Sequence, residues 1–336
     1  MCSNGVSERA VNPVGGQCGM RQFKKMSISL AWETNAITPP EPYSHRNSDS
    51  MLVADDTNVL ERYADVRSIN SSTEHQVYTV TDKSTGEQLI VKKIQRDDSI
   101  KDRIANETSA LKDLVDVKGV ALLRASLVTP SSFWLVFNRI EGIDLFQFLE
   151  DRAFEPMHED DAKIVCIQLL KIFCQAHERG ISHGDIKLEN IMIEPDTLRV
   201  NVIDFELCSI NLKRRKEKKA KWFCENYSGT AQYIAPEIFS QRPYSPEKSD
   251  VWSLGITLYA LLFGSFPLML EDVADVIDLE RHMTAIQFET IEGREVSSHA
   301  KDMLKAMLCL DPDKRPTMEE LLRYPWVVKR GQERSL

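Results

Sequence analysis

The stretch His183-Gly184-Asp185-Ile186-Lys187-Leu188-Glu189-Asn190, followed downstream by Asp204-Phe205-Glu206, holds four polar catalytic candidates in Asp185, Lys187, Asn190 and Asp204. Their types and spacing suit phosphoryl transfer. Taken singly, a Lys, Asp or Asn is far more often a solvated surface group, so the reading rests on the ordered set.

The elements that must hold these groups can be read from periodicity. Gln76 to Val80 and Gln88 to Ile94 are β-rich runs around a turn at Lys83-Ser84-Thr85-Gly86, which predicts a hairpin. Asp102 to Val115 places Ile104, Leu111 and Leu114 on one helical side, and Phe133 to Phe137 reads as a further apolar strand broken by Glu141-Gly142. Beyond it the texture is helical, over Asp160 to Glu178, Val296 to Leu310 and Thr317 to Leu322. A small β-rich half followed by a larger helical half is the expected α+β architecture. Residues 1–58 lack either periodicity and read as a disordered tail, with Pro39-Pro40-Glu41-Pro42 punctuating it. The folded unit is expected over residues 59–327, dividing near 140, with a short tail over 328–336.

At 336 residues, 42% hydrophobic and 28% charged, the chain can bury a substantial core. A net charge of -9 argues against a dedicated nucleic-acid binder. The seven cysteines are scattered without a Cys-x-x-Cys pair, which fits a reduced cytoplasmic or nuclear thiol set. Met1 to Ala31 has no signal-type apolar core, and Cys2 removes the N-myristoylation pattern. Val251 to Leu270 is uncharged and long enough to span a membrane, but Gly255, Gly264 and Pro267 fit a buried helix ending in a loop better.

Across roughly Leu60 to Val327 the chain resembles a eukaryotic-type serine/threonine protein kinase, which implies the bilobal protein-kinase fold with ATP and Mg²⁺. Val91-Lys92 resembles the strand lysine that pairs with ATP's phosphates, and Glu107 resembles its helix partner. Alternation turns only one of Lys92 and Lys93 to the cleft, and the spacing of the family it resembles selects Lys92. By the same resemblance Asp185 is the base for the substrate hydroxyl, Lys187 the γ-phosphate contact, and Asn190 and Asp204 the metal ligands. Asn70, Val77, Ile90, Asn138, Ile140, Asp144 and Met192 fall around the nucleotide. Gly229-Thr230, Ala235-Pro236-Glu237, Asp250 to Gly255 and Arg315 resemble the peptide-side apparatus, which points to protein as the substrate. Pro325-Trp326 resembles the final helix of calmodulin-dependent and related kinases.

Several positions depart from that pattern. Asn70 to His75 contains no glycine where a Gly-x-Gly-x-x-Gly loop should let backbone amides approach phosphate. Ile90 and the bulky Phe137 narrow the base pocket. Gly184 replaces the arginine that answers a phosphorylated activation loop, and Glu206 replaces a glycine. The basic run Lys213 to Lys221 stands out in an acidic chain and suits an acidic partner or a nuclear-import signal. Retention of all six reacting groups points to an enzyme; the altered setting keeps open a pseudokinase that serves as a scaffold or allosteric module.

Overall fold

The computed structural model describes residues 51–52, 56–71, 75–213, 222–225, 228–240, 242–267, 288 and 294–328. The expected tail therefore lies outside the described residues except at 51, 52 and 56–58, as do Ser72 to Glu74, Arg214 to Lys221 and residues 329–336. Among the described residues the first half is a six-stranded sheet in the order β1-β5-β6-β4-β3-β2. Its strands are β1 (Met51–Leu52), β2 (Tyr63–Ser71), β3 (His75–Asp82), β4 (Gln88–Gln95), β5 (Leu123–Val128) and β6 (Ser132–Asn138). β1 joins the edge parallel to β5, and the other pairings are antiparallel.

Side-chain alternation divides this sheet between two small cores. Leu89 and Val91 of β4 pack with Val80, Trp134 and Val136, under Val59 of helix α1 (Asp56–Glu61). On the opposite face, Ile94 packs with Phe133, Leu135 and Ile104 of helix α2 (Lys101–Asp113). Lys92 shares the α2 face. Lys93 turns the other way, to within 2.7 Å of Asp56 and over the Trp134 ring. Asp56 also accepts hydrogen bonds from Ser132 Oγ at 3.0 Å and Trp134 Nε1 at 3.3 Å, so α1 is fastened to the back of the sheet. Burial opposes its charge, but Lys93 and the hydroxyls of Thr129, Ser131 and Ser132 hold its carboxyl well below the usual range.

From Ile143 onward helices dominate. A three-stranded sheet joins β7 (Ile143–Asp144), β9 (Ile191–Glu194) and β10 (Arg199–Val202), while β8 (Ile181–Ser182) pairs with β11 (Ser209–Ile210). α3 (Leu145–Glu150), α4 (Glu159–Glu178), α5 (Pro246–Phe263), α6 (Ser298–Met307), α7 (Met318–Leu321) and α8 (Pro325–Val328) contribute to one large core. The apolar run that began at Val251 belongs to α5, which is buried on all sides within the larger core. Gly264 ends it at φ 66, where a Cβ would lie 2.0 Å from the Phe154 carbonyl oxygen. No helix among the described residues is long and apolar enough to cross a membrane. The five described cysteines form no disulfide among the described residues.

Candidate active site

The reacting residues lie where the small sheet meets the helical half. β8 feeds His183, and the turn Leu188–Asn190 returns the chain into β9, so Asp185, Lys187 and Asn190 occupy one loop. Two devices hold that loop. Asp250 of α5 accepts the amide hydrogens of His183 and Gly184 at 2.8 and 3.0 Å and bonds His177 Nε2 at 2.8 Å. His183 packs its ring 4.6 Å from Phe205 and bonds the Ile203 carbonyl, which ties the loop to the segment carrying Asp204. Asp204 itself sits at φ 63, a left-handed conformation that asparagine and aspartate tolerate better than most residues.

Within the loop the polar groups converge. Asp185 Oδ2 lies 2.6 Å from Lys187 Nζ and accepts from Asn190 Nδ2 at 3.1 Å. Its Oδ1 accepts from both the amide and the hydroxyl of Thr230, at 3.1 and 2.9 Å. The Thr230 hydroxyl in turn accepts from Lys187 at 2.8 Å, so it bridges the two. Asn190 Nδ2 also donates to the Asp185 carbonyl at 2.9 Å; a carbonyl can only accept, which fixes the amide's orientation and leaves the Asn190 oxygen as the lone-pair end that could coordinate a cation.

Lys92 reaches the same region from β4. Its ammonium lies 2.8 Å from Asp204 Oδ1, 3.1 Å from Glu206 Oε2 and 4.0 Å from Glu107 Oε1. Burial works against this charge, but Asp204, Glu107 and Glu206 hold the ammonium above the ordinary lysine range. For Glu107 burial is the largest influence and pushes its carboxyl up to about 7; Lys92 opposes this, while Asp204 and Glu206 add to it. Asp204 is only partly buried, and although desolvation opposes its charge, Lys92 brings its carboxyl down to about 2. Glu107 occupies the buried face of α2 with Ile104, Ala110 and Leu111, which explains how helical spacing delivers a carboxylate to the sheet.

The nucleotide-side candidates on strands are divided between the six-stranded and the three-stranded sheet. Asn70 is opposite Val77 in the β2–β3 register, and Val77 is opposite Lys92 in β3–β4. Ile90 is opposite Phe137, and Asn138 closes β6 with its amide donated to the Leu122 carbonyl at 3.1 Å, just before Ile140. The buried Asn138 Oδ1 has no hydrogen-bond partner among the described residues. Asp144 pairs with Met192 across β7–β9, and its carboxylate caps α3 through the Gln147 amide at 2.8 Å. Thr230 as a bridge, and Arg103 and His75 as partners of Glu206, were not anticipated from sequence. Arg103 could have been found, because it stands one helical turn before Glu107.

This bilobal α+β arrangement, with a lysine-bearing sheet over a loop of clustered acid, amide and ammonium groups, is that of a phosphoryl-transfer fold. The model of the protein kinase domain family matches residues 63–327, and the chain belongs to that family. It is 30% identical to sperm motility kinase 2B of Mus musculus, over 73% of this chain and 47% of that protein. It is 27% identical to serine/threonine-protein kinase SRK2F of Arabidopsis thaliana, over 80% of this chain and 75% of that one. Serine/threonine-protein kinase SAPK4 of Oryza sativa subsp. japonica is 28% identical, over 80% of this chain and 73% of its own length. The chain thus spans about half of the mouse kinase and about three quarters of the plant kinases.

Proposed function

We propose that this chain is an ATP-dependent serine/threonine protein kinase in which Asp185 takes the proton of a substrate hydroxyl. The hydroxyl oxygen bonds to the γ-phosphorus, the bond to the ADP oxygen breaks, and Lys187 offsets charge on the moving group. The observation that carries this reading is the meeting of Lys92 from the sheet, Asp204 from its own segment and Asp185, Lys187 and Asn190 from one loop. Mg²⁺ fits the donor set, since Asn190 and Asp204 offer hard oxygens and leave room for phosphate oxygens and water. When bound, the ion would neutralise charge on the triphosphate. Val77, Ile90, Asn138, Ile140, Asp144 and Met192 would enclose the nucleoside. The basic run from Lys213 would serve an acidic partner, and cysteines scattered without a Cys-x-x-Cys pair favour cytoplasm or nucleus.

The test is single-turnover transfer of labelled γ-phosphate to a generic basic protein, comparing wild type with Asp185→Asn, each with Mg²⁺ and with chelator. Transfer is expected to fall on the order of 10²-fold or more in the variant, while ATP affinity by titration stays nearly unchanged. Wild-type turnover in Asp185→Asn would sink the assignment. A second reading, a scaffold without transfer, is favoured by the register that sets Ile90 against Phe137 in the base pocket. A wild-type chain that gains no thermal stability from ATP with Mg²⁺ would support it.

A further inference from the structure

Glu206 follows Phe205 at the edge of the cleft, and its nearly buried carboxylate meets the Lys92 ammonium, the Arg103 guanidinium and the His75 imidazole, from three elements of the small lobe. Oε2 lies 3.1 Å from Lys92 Nζ on β4 and 3.6 Å from His75 Nε2 at the start of β3. Oε1 accepts from the Arg103 guanidinium of α2. Arg103 and Glu107 are i and i+4 neighbours, so one turn of α2 is held to the cleft through Arg103 while the next offers Glu107 to Lys92. Lys92 already has Asp204 at 2.8 Å, so the distinct contribution of Glu206 is its link to α2 and β3.

We propose that Glu206 is a positioning residue: through Arg103 and His75 it fastens α2 and the glycine-free start of β3 to the segment after Asp204. It thereby sets the approach of Lys92 and Glu107 that nucleotide binding uses, with a charge supplied by the chain itself. This rests on the kinase reading above. A carboxylate that merely competed with phosphate for Lys92 would act in the opposite sense, since its removal would tighten ATP binding.

The test compares wild type, Arg103→Gln, Arg103→Lys, Glu206→Gln and the double Arg103→Gln/Glu206→Gln variant. Arg103 is partly exposed, so its variants are expected to fold. Arg103→Gln should raise KM for ATP roughly tenfold, about 1.4 kcal/mol, with kcat little changed because Asp185, Lys187, Asn190 and Thr230 are untouched. Arg103→Lys should recover most of the loss. The double variant should be no worse than Glu206→Gln, because the link is cut once. Hydrogen exchange of the α2 amides, recorded without nucleotide, should quicken in Arg103→Gln and in Glu206→Gln. Tighter ATP binding in Glu206→Gln, or unchanged α2 exchange in Arg103→Gln, overturns the proposal. If wild type transfers no phosphate, the kinase reading fails while the exchange experiment still decides the role of Glu206.

Discussion

Around Lys92, three carboxylates share one ammonium at 2.8, 3.1 and 4.0 Å, and the most distant of them is the most buried. Coulomb attraction falls with separation, so Asp204 receives the charge and Glu107 is left with burial as its dominant influence. One oxygen of Glu107 has no hydrogen-bond partner among the described residues. The folded chain therefore holds the Glu107 proton more tightly than the unfolded chain, between the ordinary value of 4.5 and about 7. Across that window the native state binds more protons, so stability should fall as pH rises. Glu107→Gln should flatten this decline, read as the urea midpoint against pH. A variant with the wild-type slope would assign the loss to other groups. Asp204 contributes with the opposite sign: the stability its ionised form supplies is present above 3.8 and is lost as pH falls through about 2.

The loop between β8 and β9 depends on backbone shape as much as on its side chains. Gly184 has φ +81, and a Cβ built there would lie 2.3 Å from the Leu207 carbonyl oxygen. That oxygen is backbone, held near β11 by the pairing of Ser209 with Ser182, so it cannot easily retreat. Gly184→Ala is expected to cost about 1–2 kcal/mol for the left-handed backbone alone, with the contact adding to it. Arginine at this position would meet the same obstacle, so Gly184→Arg is no repair. Denaturant titration of Gly184→Ala checks this, and wild-type stability would show that the loop can shift. Activity should fall alongside stability, because Asp250 orients Asp185 through the amides of His183 and Gly184.

At the scale of the whole molecule, a buried ion pair joins the segment carrying Glu237 to the helical core. Arg315, with its side chain fully buried, bonds both Glu237 oxygens at 2.6 and 2.7 Å, donates to the Cys309 carbonyl at 2.6 Å and lies over the Trp252 ring. Removing one partner of such a pair strands a buried charge, so Arg315→Ala should cost roughly 3–5 kcal/mol, measured as a shift of the main unfolding transition. A change below about 1 kcal/mol would mean that solvent reaches Glu237. The sequence by itself determined the features that depend on near neighbours. Alternation over Gln88 to Gln95 separated Lys92 from Lys93, Gly264 ended the apolar helix, and the spacing from His183 to Asn190 marked one loop. Strand β2 was not legible, because Val66 and Ile69 are exposed and its pattern lacks a buried alternation. The two-residue strands exist only through their pairings. Only the tertiary structure brought Thr230 onto Asp185, Asp56 onto Lys93 and Arg103 onto Glu206. Periodicity records which face of an element a residue occupies, whereas a partner distant along the chain is chosen when the two packed faces meet.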